Sequence, residues 1–401
     1  MTRFYYLIFV LFLVTIGAIL PSLYPILIHS LSSDVYPTLN LVSSHSFLIG
    51  HLYTAAASVL LLLVAWMFKP RYPAKSSLQF YLGKFMSYEG IIFGTALLSL
   101  SISIILDGLY GMSASNLLPQ RPMIAVYLAY IARVFWCSVP LFIVAQIYFL
   151  GKLNRKGLLI SFLLLADMAL SWSRSGLLVV FFMILTGLAY SPVIFKIKRR
   201  IIVLTILLGL SSAVAGDLSR GGGDLAEPAA SALLRFYVNN QALFLAVEDQ
   251  GKIRDILLYN EPAVMFSQMF SFFIERTEYP SSFRLLEYWG ATMTETEGGH
   301  ITGYAYGWLG LTYGIFGWSG LWFLTAILAF YFFMLRVLFS KPSFSNLAFS
   351  VYFSGMLFEY FINFGLDSFA EKAFKGFLSV LVYILLVVLL KLLTRTHRTE
   401  P

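Results

Sequence analysis

Residues 47–68 read FLIGHLYTAAASVLLLLVAWMF, closed by Lys69 and Pro70, and contain no Asp, Glu, Lys or Arg. A hydrocarbon core of about 30 Å takes roughly 20 apolar residues in an α-helix. Backbone N–H and C=O groups find no water at that depth, so the segment must satisfy them internally, which a helix does. Runs of the same kind recur. The candidate spans are 4–28, 47–68, 85–106, 122–150, 157–172, 176–195, 200–216, 304–339, 343–365 and 373–393. The runs 122–150 and 304–339 are longer than a straight crossing needs and read as tilted or partly interfacial; 157–172 is short. The expected fold is an all-α polytopic membrane protein of about 10–12 transmembrane helices, with residues 1–401 as a single transmembrane domain.

Composition agrees. Hydrophobic residues make up 59% and charged residues 12%, against about 45–50% and about 25% in soluble domains. The net charge of +8 does not read as nucleic-acid binding, because the basic residues sit mostly in short loops, where they set membrane topology. The single cysteine, Cys137, lies inside an apolar run, so neither a disulfide nor a cysteine metal site is expected. Residues 4–20 follow a single Arg3 and lead through Pro21 into more apolar sequence. This reads as a retained first helix rather than a cleaved signal peptide.

Lysine and arginine set the orientation. Lys69, Arg71, Lys75 and Lys84 lie between the second and third spans. Lys152, Arg155 and Lys156 lie between the fourth and fifth, and Lys196, Lys198, Arg199 and Arg200 between the sixth and seventh. Arg336 and Lys341 follow the eighth, and Lys391, Arg395 and Arg398 come last. All fall on one side if both termini are cytoplasmic, as the positive-inside rule requires.

Residues 217–302 then form a large extracytoplasmic loop between spans. It holds twelve of the twenty carboxylates and the basic residues Arg220, Arg235, Lys252, Arg254, Arg276 and Arg284. Within it, residues 228–247 (PAASALLRFYVNNQALFLAV) read as a helix with a broad apolar face. A second helix is expected after Asn260-Glu261-Pro262, with Phe266, Met269, Phe270 and Phe273 on one face. It would lie on the membrane surface or pack on the bundle.

Ionisable side chains within spans are costly and are functional candidates. Arg133, Asp107, Asp167, Arg174, Glu359 and Asp367 fall toward the outer side by this topology, and Glu89 toward the inner side. That asymmetry favours a site at the outer surface over a path through the membrane. The structural alternative pairs Arg133 with Asp167 or Glu359 to hold helices together.

Three motifs carry possible chemistry. Ser171-Trp172-Ser173-Arg174-Ser175-Gly176 is a polar turn before a helix starting near Gly176. Helix N-termini attract anions, and the planar guanidinium of arginine suits phosphate; the plainer reading is an interfacial anchor. Ser219-Arg220-Gly221-Gly222-Gly223-Asp224 fits an anion nest or a flexible exit from the membrane. Glu295, Glu297 and His300 cluster before the eighth span and offer a general base, without the spacing of a metal site. Glycines 307, 310, 314, 317 and 320 follow and read as helix-packing positions.

The ten spans, the large late loop, SWSRSGLL opening a helix and GHITGYAYGWLGLTYGIFGWSGLW closing the loop together resemble the bacterial O-antigen (Wzy-type) repeat-unit polymerases and the related O-antigen ligases. The resemblance covers nearly the whole chain as architecture, through short motifs. It implies a GT-C-like fold with a large helical periplasmic loop, and a metal-independent inner-membrane glycosyltransferase without a cofactor. The substrate would be an undecaprenyl-diphosphate-linked oligosaccharide, met at the membrane lipid, with a chain-length regulator protein as partner. Diphosphate binding would fall to Arg174 and Arg235, with Arg220, Arg276, Arg284 and Arg133 as further candidates; His300, Glu297 and Glu295 would supply the base. Some of these polymerases carry an arginine followed eleven residues later by glycine in both major loops, and none of the arginines in this large loop has that spacing. The alternatives are a ligase transferring glycan to lipid A core and a lipid-linked oligosaccharide flippase or transporter, the latter expected to show paired halves and a central polar cavity.

Overall fold

The computed structural model describes residues 2–15, 17, 43–110, 122–170, 174–193, 243–258, 307–362 and 366–396. All regular structure among them is helical. The helices are α1 (Thr2–Val14), α2 (Ser44–Met67), α3 (Lys75–Tyr110), α4 (Met123–Trp136), α5 (Ser138–Leu150), α6 (Arg155–Leu170), α7 (Arg174–Tyr190), α8 (Gln250–Leu258), α9 (Gly307–Phe316), α10 (Gly320–Ser340), α11 (Phe344–Ile362) and α12 (Leu366–Thr396). Five stretches of the described residues are long and apolar enough to cross a membrane: Ser44–Met67, Lys75–Leu106, Met123–Leu150, Gly307–Ser340 and Lys372–Thr394. The chain is a helical, multi-pass membrane protein. The expected span 200–216 lies outside the described residues, as does most of 15–28.

Both overlong runs are broken, and each break has a local cause. In the first, α4 ends and α5 begins around Cys137. Pro140 follows; in an unbroken helix its ring would press on the carbonyl of Trp136, and it has no N–H to donate. In the second, α9 gives way to a single 3₁₀ turn over Gly317–Ser319 before α10 starts. Gly317 has φ 59, a left-handed conformation that glycine adopts freely. A Cβ on Gly320 would sit 2.4 Å from the Thr312 carbonyl oxygen and 2.8 Å from the Tyr53 hydroxyl. Residues eight apart in a continuous helix are about 12 Å apart along the axis, so the chain folds back here. Residues 307–340 have the length and apolarity of one crossing, and within them the 21 residues of α10 rise about 31 Å.

The core gathers around α5. Every residue from Ser138 to Phe149 is buried, because α3, α4, α6, α7 and α11 all pack against it. A helix apolar all round is the kind that can be enclosed on every side. The residue after it, Gly151, takes φ 60 and donates its N–H to the Ile147 carbonyl, closing the helix. Beside the end of α5, Phe339 is sandwiched by two rings, with Tyr148 at 5.6 Å and Tyr190 at 5.0 Å, both nearly parallel to it. Hydroxyls link neighbouring helices: Ser99 donates to the Ala132 carbonyl at 2.8 Å and Tyr148 to the Phe339 carbonyl at 2.6 Å. Outside, large apolar side chains face outward; Trp322 is 80% exposed, Trp66 70% and Phe162 68%. Such a surface suits hydrocarbon rather than water.

Contacts sort the helix ends into two sets. At one end, Arg336 donates to the Met67 carbonyl at 3.2 Å, Lys156 lies 3.6 Å from Glu89, and Lys391 reaches Ser87. The Tyr6 hydroxyl joins them by donating to the Ala65 carbonyl. The basic ends of α2, α3, α6, α10 and α12 and the start of α1 therefore share a side, as the lysine and arginine distribution predicts. At the opposite end lie the start of α2, the segment 243–258, the α9–α10 corner and the Glu359–Lys372 pair.

Candidate functional site

The end opposite the basic cluster is where the described part of the large loop meets the bundle. Leu243, Phe244, Leu245, Ala246 and Ile253 are buried in the same core as the membrane helices, and α8 packs along α9. The end of the apolar helix expected over 228–247 thus lies on the bundle. Phe244 seats against Gly50 of α2, where a Cβ would come within 2.6 Å of its ring. Phe47 and His51 flank that ring at 5.0 and 5.3 Å.

Polar contacts fasten the same segment. Glu248 Oε2 accepts from the Ser43 backbone N–H at 2.9 Å and from the Ser43 hydroxyl at 2.8 Å. Ser43 is also the N-cap of α2, its oxygen accepting from the Ser46 N–H. The carboxylate therefore sits at a helix N-terminus, where negative charge is favoured. Hydrogen bonds from the Ser46 hydroxyl and from the Ser43 N–H and hydroxyl hold its carboxyl below the usual carboxylate range. On the other flank, Gln250 Nε2 donates to the Tyr313 carbonyl at 3.4 Å and lies against Gly317. The corner itself is held by Tyr53, whose hydroxyl donates to Thr312 Oγ1 at 3.1 Å. The Trp308 indole N–H donates to the Gly17 carbonyl at 3.0 Å. These contacts tie the start of α2, the loop segment and α9 together.

Arg174 is the first residue of α7, two positions before the expected start. Tyr190, at the far end of α7, stacks on Phe339 near the basic end, so Arg174 starts the helix at the loop end. The free N–H groups of a helix's first turn are the feature that attracts anions. Arg235, Arg220, Arg276, Arg284, His300, Glu297 and Glu295 lie outside the described residues.

Arg133 stands in the last turn of α4 with its side chain exposed. The pairing considered for it is not formed. Glu359 instead takes Lys372 at 2.7 Å, because α11 and α12 pack side by side and bring the lysine within reach. Asp167 is buried, 4% exposed, with Ser103 as its hydrogen-bond partner and with Oδ1 unpartnered among the described residues. Its place near the loop end of α6, and that of Glu89 near the basic end, follow the expected asymmetry.

Sequence reasoning did not single out Ser43, Gln250, Tyr53 or Thr312, nor Glu248 beyond its place in the acidic loop. Ser43 and Glu248 are 205 positions apart, and no local pattern marks either. Comparison with known proteins returns no match among family models, curated proteins or solved structures.

Proposed function

We propose that the chain is an inner-membrane glycosyltransferase that polymerises undecaprenyl-diphosphate-linked oligosaccharide repeat units at the periplasmic face. The observation that carries this reading is the docking of 243–258 onto the end of the bundle from which α7 begins with Arg174. Loop and helix terminus are thereby available to one substrate at one membrane surface. The filled apolar core around α5 also favours chemistry at that surface over a conduit through the bundle. The apolar exterior lets a lipid-linked substrate approach from the side.

In the proposed reaction, the bond between the anomeric carbon of the growing glycan and its diphosphate oxygen breaks, and undecaprenyl diphosphate leaves with the bonding electrons. Arg174 and Arg235 hold that negative charge; guanidinium forks match phosphate oxygens. A new bond forms to a hydroxyl at the nonreducing end of a second lipid-linked unit. That hydroxyl's proton passes to His300, with Glu297 and Glu295 as the alternative bases. No metal is required for any of these steps.

The test is turnover by the purified, reconstituted full chain on lipid-linked repeat units, with products resolved by length. The expected outcome is a ladder of polymers that disappears in Arg174→Ala and returns partly in Arg174→Lys, which keeps charge but loses the planar fork. No lengthening by the wild-type protein, with transfer appearing only when lipid A core is supplied, would replace the polymerase reading with the ligase.

A further inference from the structure

Cys137 keeps helical angles, φ −54 and ψ −27, so α4 and α5 form one bent rod. Its far end, at Tyr148, reaches Phe339 near the basic end, which puts the start of α4 at the loop end. The two halves of the rod have different surroundings. α5 is closed in by α3, α6, α7 and α11, with Val144 against Gly187 of α7. α4 packs on α3 and, less, on α12; among the described residues it has no comparable packing on α6, α7 or α11. Ala125 and Ala132 are buried on the α3 side, where Ser99 reaches the Ala132 carbonyl. Tyr127, two residues on from Ala125, lies about 200° round the helix and so looks away from α3. It is 60% exposed and Tyr130 45%. Arg133, also exposed, follows three residues further along this edge.

Hydrocarbon does not suit that edge. Met123–Leu150 has the length and apolarity of one crossing, and Arg133 stands ten residues into it. It makes no hydrogen bond or ion pair among the described residues, and an unpaired guanidinium at such depth in lipid is costly. A water-filled cleft accommodates it: open at the loop end between α4 and the facing ends of α7 and α11, and closed below by α5. The Glu359–Lys372 pair stands at the mouth. The Tyr383 ring is 6.3 Å from that of Phe135. Lys372 comes eleven residues before Tyr383 and Ile124 eleven before Phe135, so the pair is level with the first turn of α4.

We propose that this cleft binds the sugar units of the lipid-linked oligosaccharide. The proposal rests on the glycosyltransferase reading for the identity of the ligand, and on the packing of α4 for the site. Sugar hydroxyls both donate and accept. The cleft offers donors in Arg133 and Lys372, an acceptor in Glu359, and phenols that do both beside an apolar ring face. A diphosphate only accepts, and Glu359 repels it. Arg133 is thereby assigned to the glycan, and the diphosphate is left to Arg174 and Arg235.

The experiment labels cysteines in the purified full chain in lipid nanodiscs, with Cys137→Ser removing the native thiol. The reagent is a charged, membrane-impermeant maleimide, which needs a thiolate and therefore water. Tyr127→Cys and Tyr130→Cys should label. Leu385→Cys should not; Leu385 is 61% exposed on α12, two residues past Tyr383. Lipid-free oligosaccharide, released from the lipid-linked units by mild acid, should slow labelling of Tyr130→Cys, and inorganic pyrophosphate should not. Adding Arg133→Gln should raise the oligosaccharide concentration needed by about tenfold or more, the worth of a hydrogen bond to a charged group.

Labelling of both tyrosine variants no faster than that of Leu385→Cys would overturn the cleft. Protection by pyrophosphate in place of the oligosaccharide, or by neither, would overturn its ligand. Neither measurement needs turnover. Protection by the oligosaccharide in a chain that makes no polymer would keep this site and remove the transferase reading. Polymer from a chain whose tyrosine variants stay unlabelled would do the reverse.

Discussion

Gly50→Ala tests whether the large loop is seated on the bundle. A Cβ at Gly50 would stand 2.6 Å from Cδ1 and Cε1 of Phe244, about 1 Å inside the usual carbon–carbon contact of about 3.5–4.0 Å. The ring has little room to yield. It is 1% exposed and flanked by Phe47 and His51. Overpacking of this size costs about 1–3 kcal/mol. Replacing a helical glycine by alanine returns about 0.8–1.0 kcal/mol, so the net expectation runs from about zero to about 2 kcal/mol destabilising. Gly90→Ala is the control. It lies within α3, and its Cβ would meet nothing within 4 Å, so only the favourable term of about 1 kcal/mol remains. The assay is thermal unfolding of purified protein in detergent, with protease cleavage within 243–258 as a second readout. Gly50→Ala should melt below Gly90→Ala and speed cleavage in the loop. In a Phe244→Leu background, where the ring is gone, the cost of Gly50→Ala should vanish. Gly50→Ala as stabilising as Gly90→Ala in both backgrounds would refute the seating of Phe244.

His300→Ala should cut turnover on lipid-linked units by at least about 10²-fold, the usual share of a positioned base, while donor retention in a pull-down assay persists; unchanged turnover would remove His300 from the reaction. The Glu248 contact should be pH-dependent: its folded-state pKa is depressed, so its stabilisation is complete above the ordinary carboxylate pKa and is lost as pH falls through the lower folded value. Protease cleavage in 243–258 should therefore rise below about pH 4 in the wild type. In Glu248→Gln, cleavage should already be raised at neutral pH and change less on acidification; identical pH profiles would remove Glu248 as the latch. Trp308→Phe should leave the buried Gly17 carbonyl without the donor it has at 3.0 Å and lower stability by about 1–3 kcal/mol, read as a fall in melting temperature; an unchanged melt would mean that bond contributes nothing net.

Much of the architecture was legible in the sequence because it depends on local quantities. A run such as 47–68 must satisfy its own backbone in hydrocarbon, so its helix, Ser44–Met67, follows from length and apolarity alone. The gathering of Lys156, Arg336 and Lys391 at one end follows from which end of each helix carries charge. The start of α7 at Arg174 was readable to within two residues. The break at Cys137 was also available, in Pro140, and Met123–Leu150 keeps the length and apolarity of one crossing across it. The fold-back at Gly317 was not, since five glycines in one run read alike and only the Thr312 carbonyl beside Gly320 distinguishes a corner from a packing face. The partners of Glu359, of Glu248 and of Phe244 were decided by tertiary structure alone. A membrane helix is apolar around its whole circumference, so it carries no stripe that names its neighbour. Which side chains meet is then settled by close packing among many helices, a property of the assembled bundle that no single stretch of the chain contains.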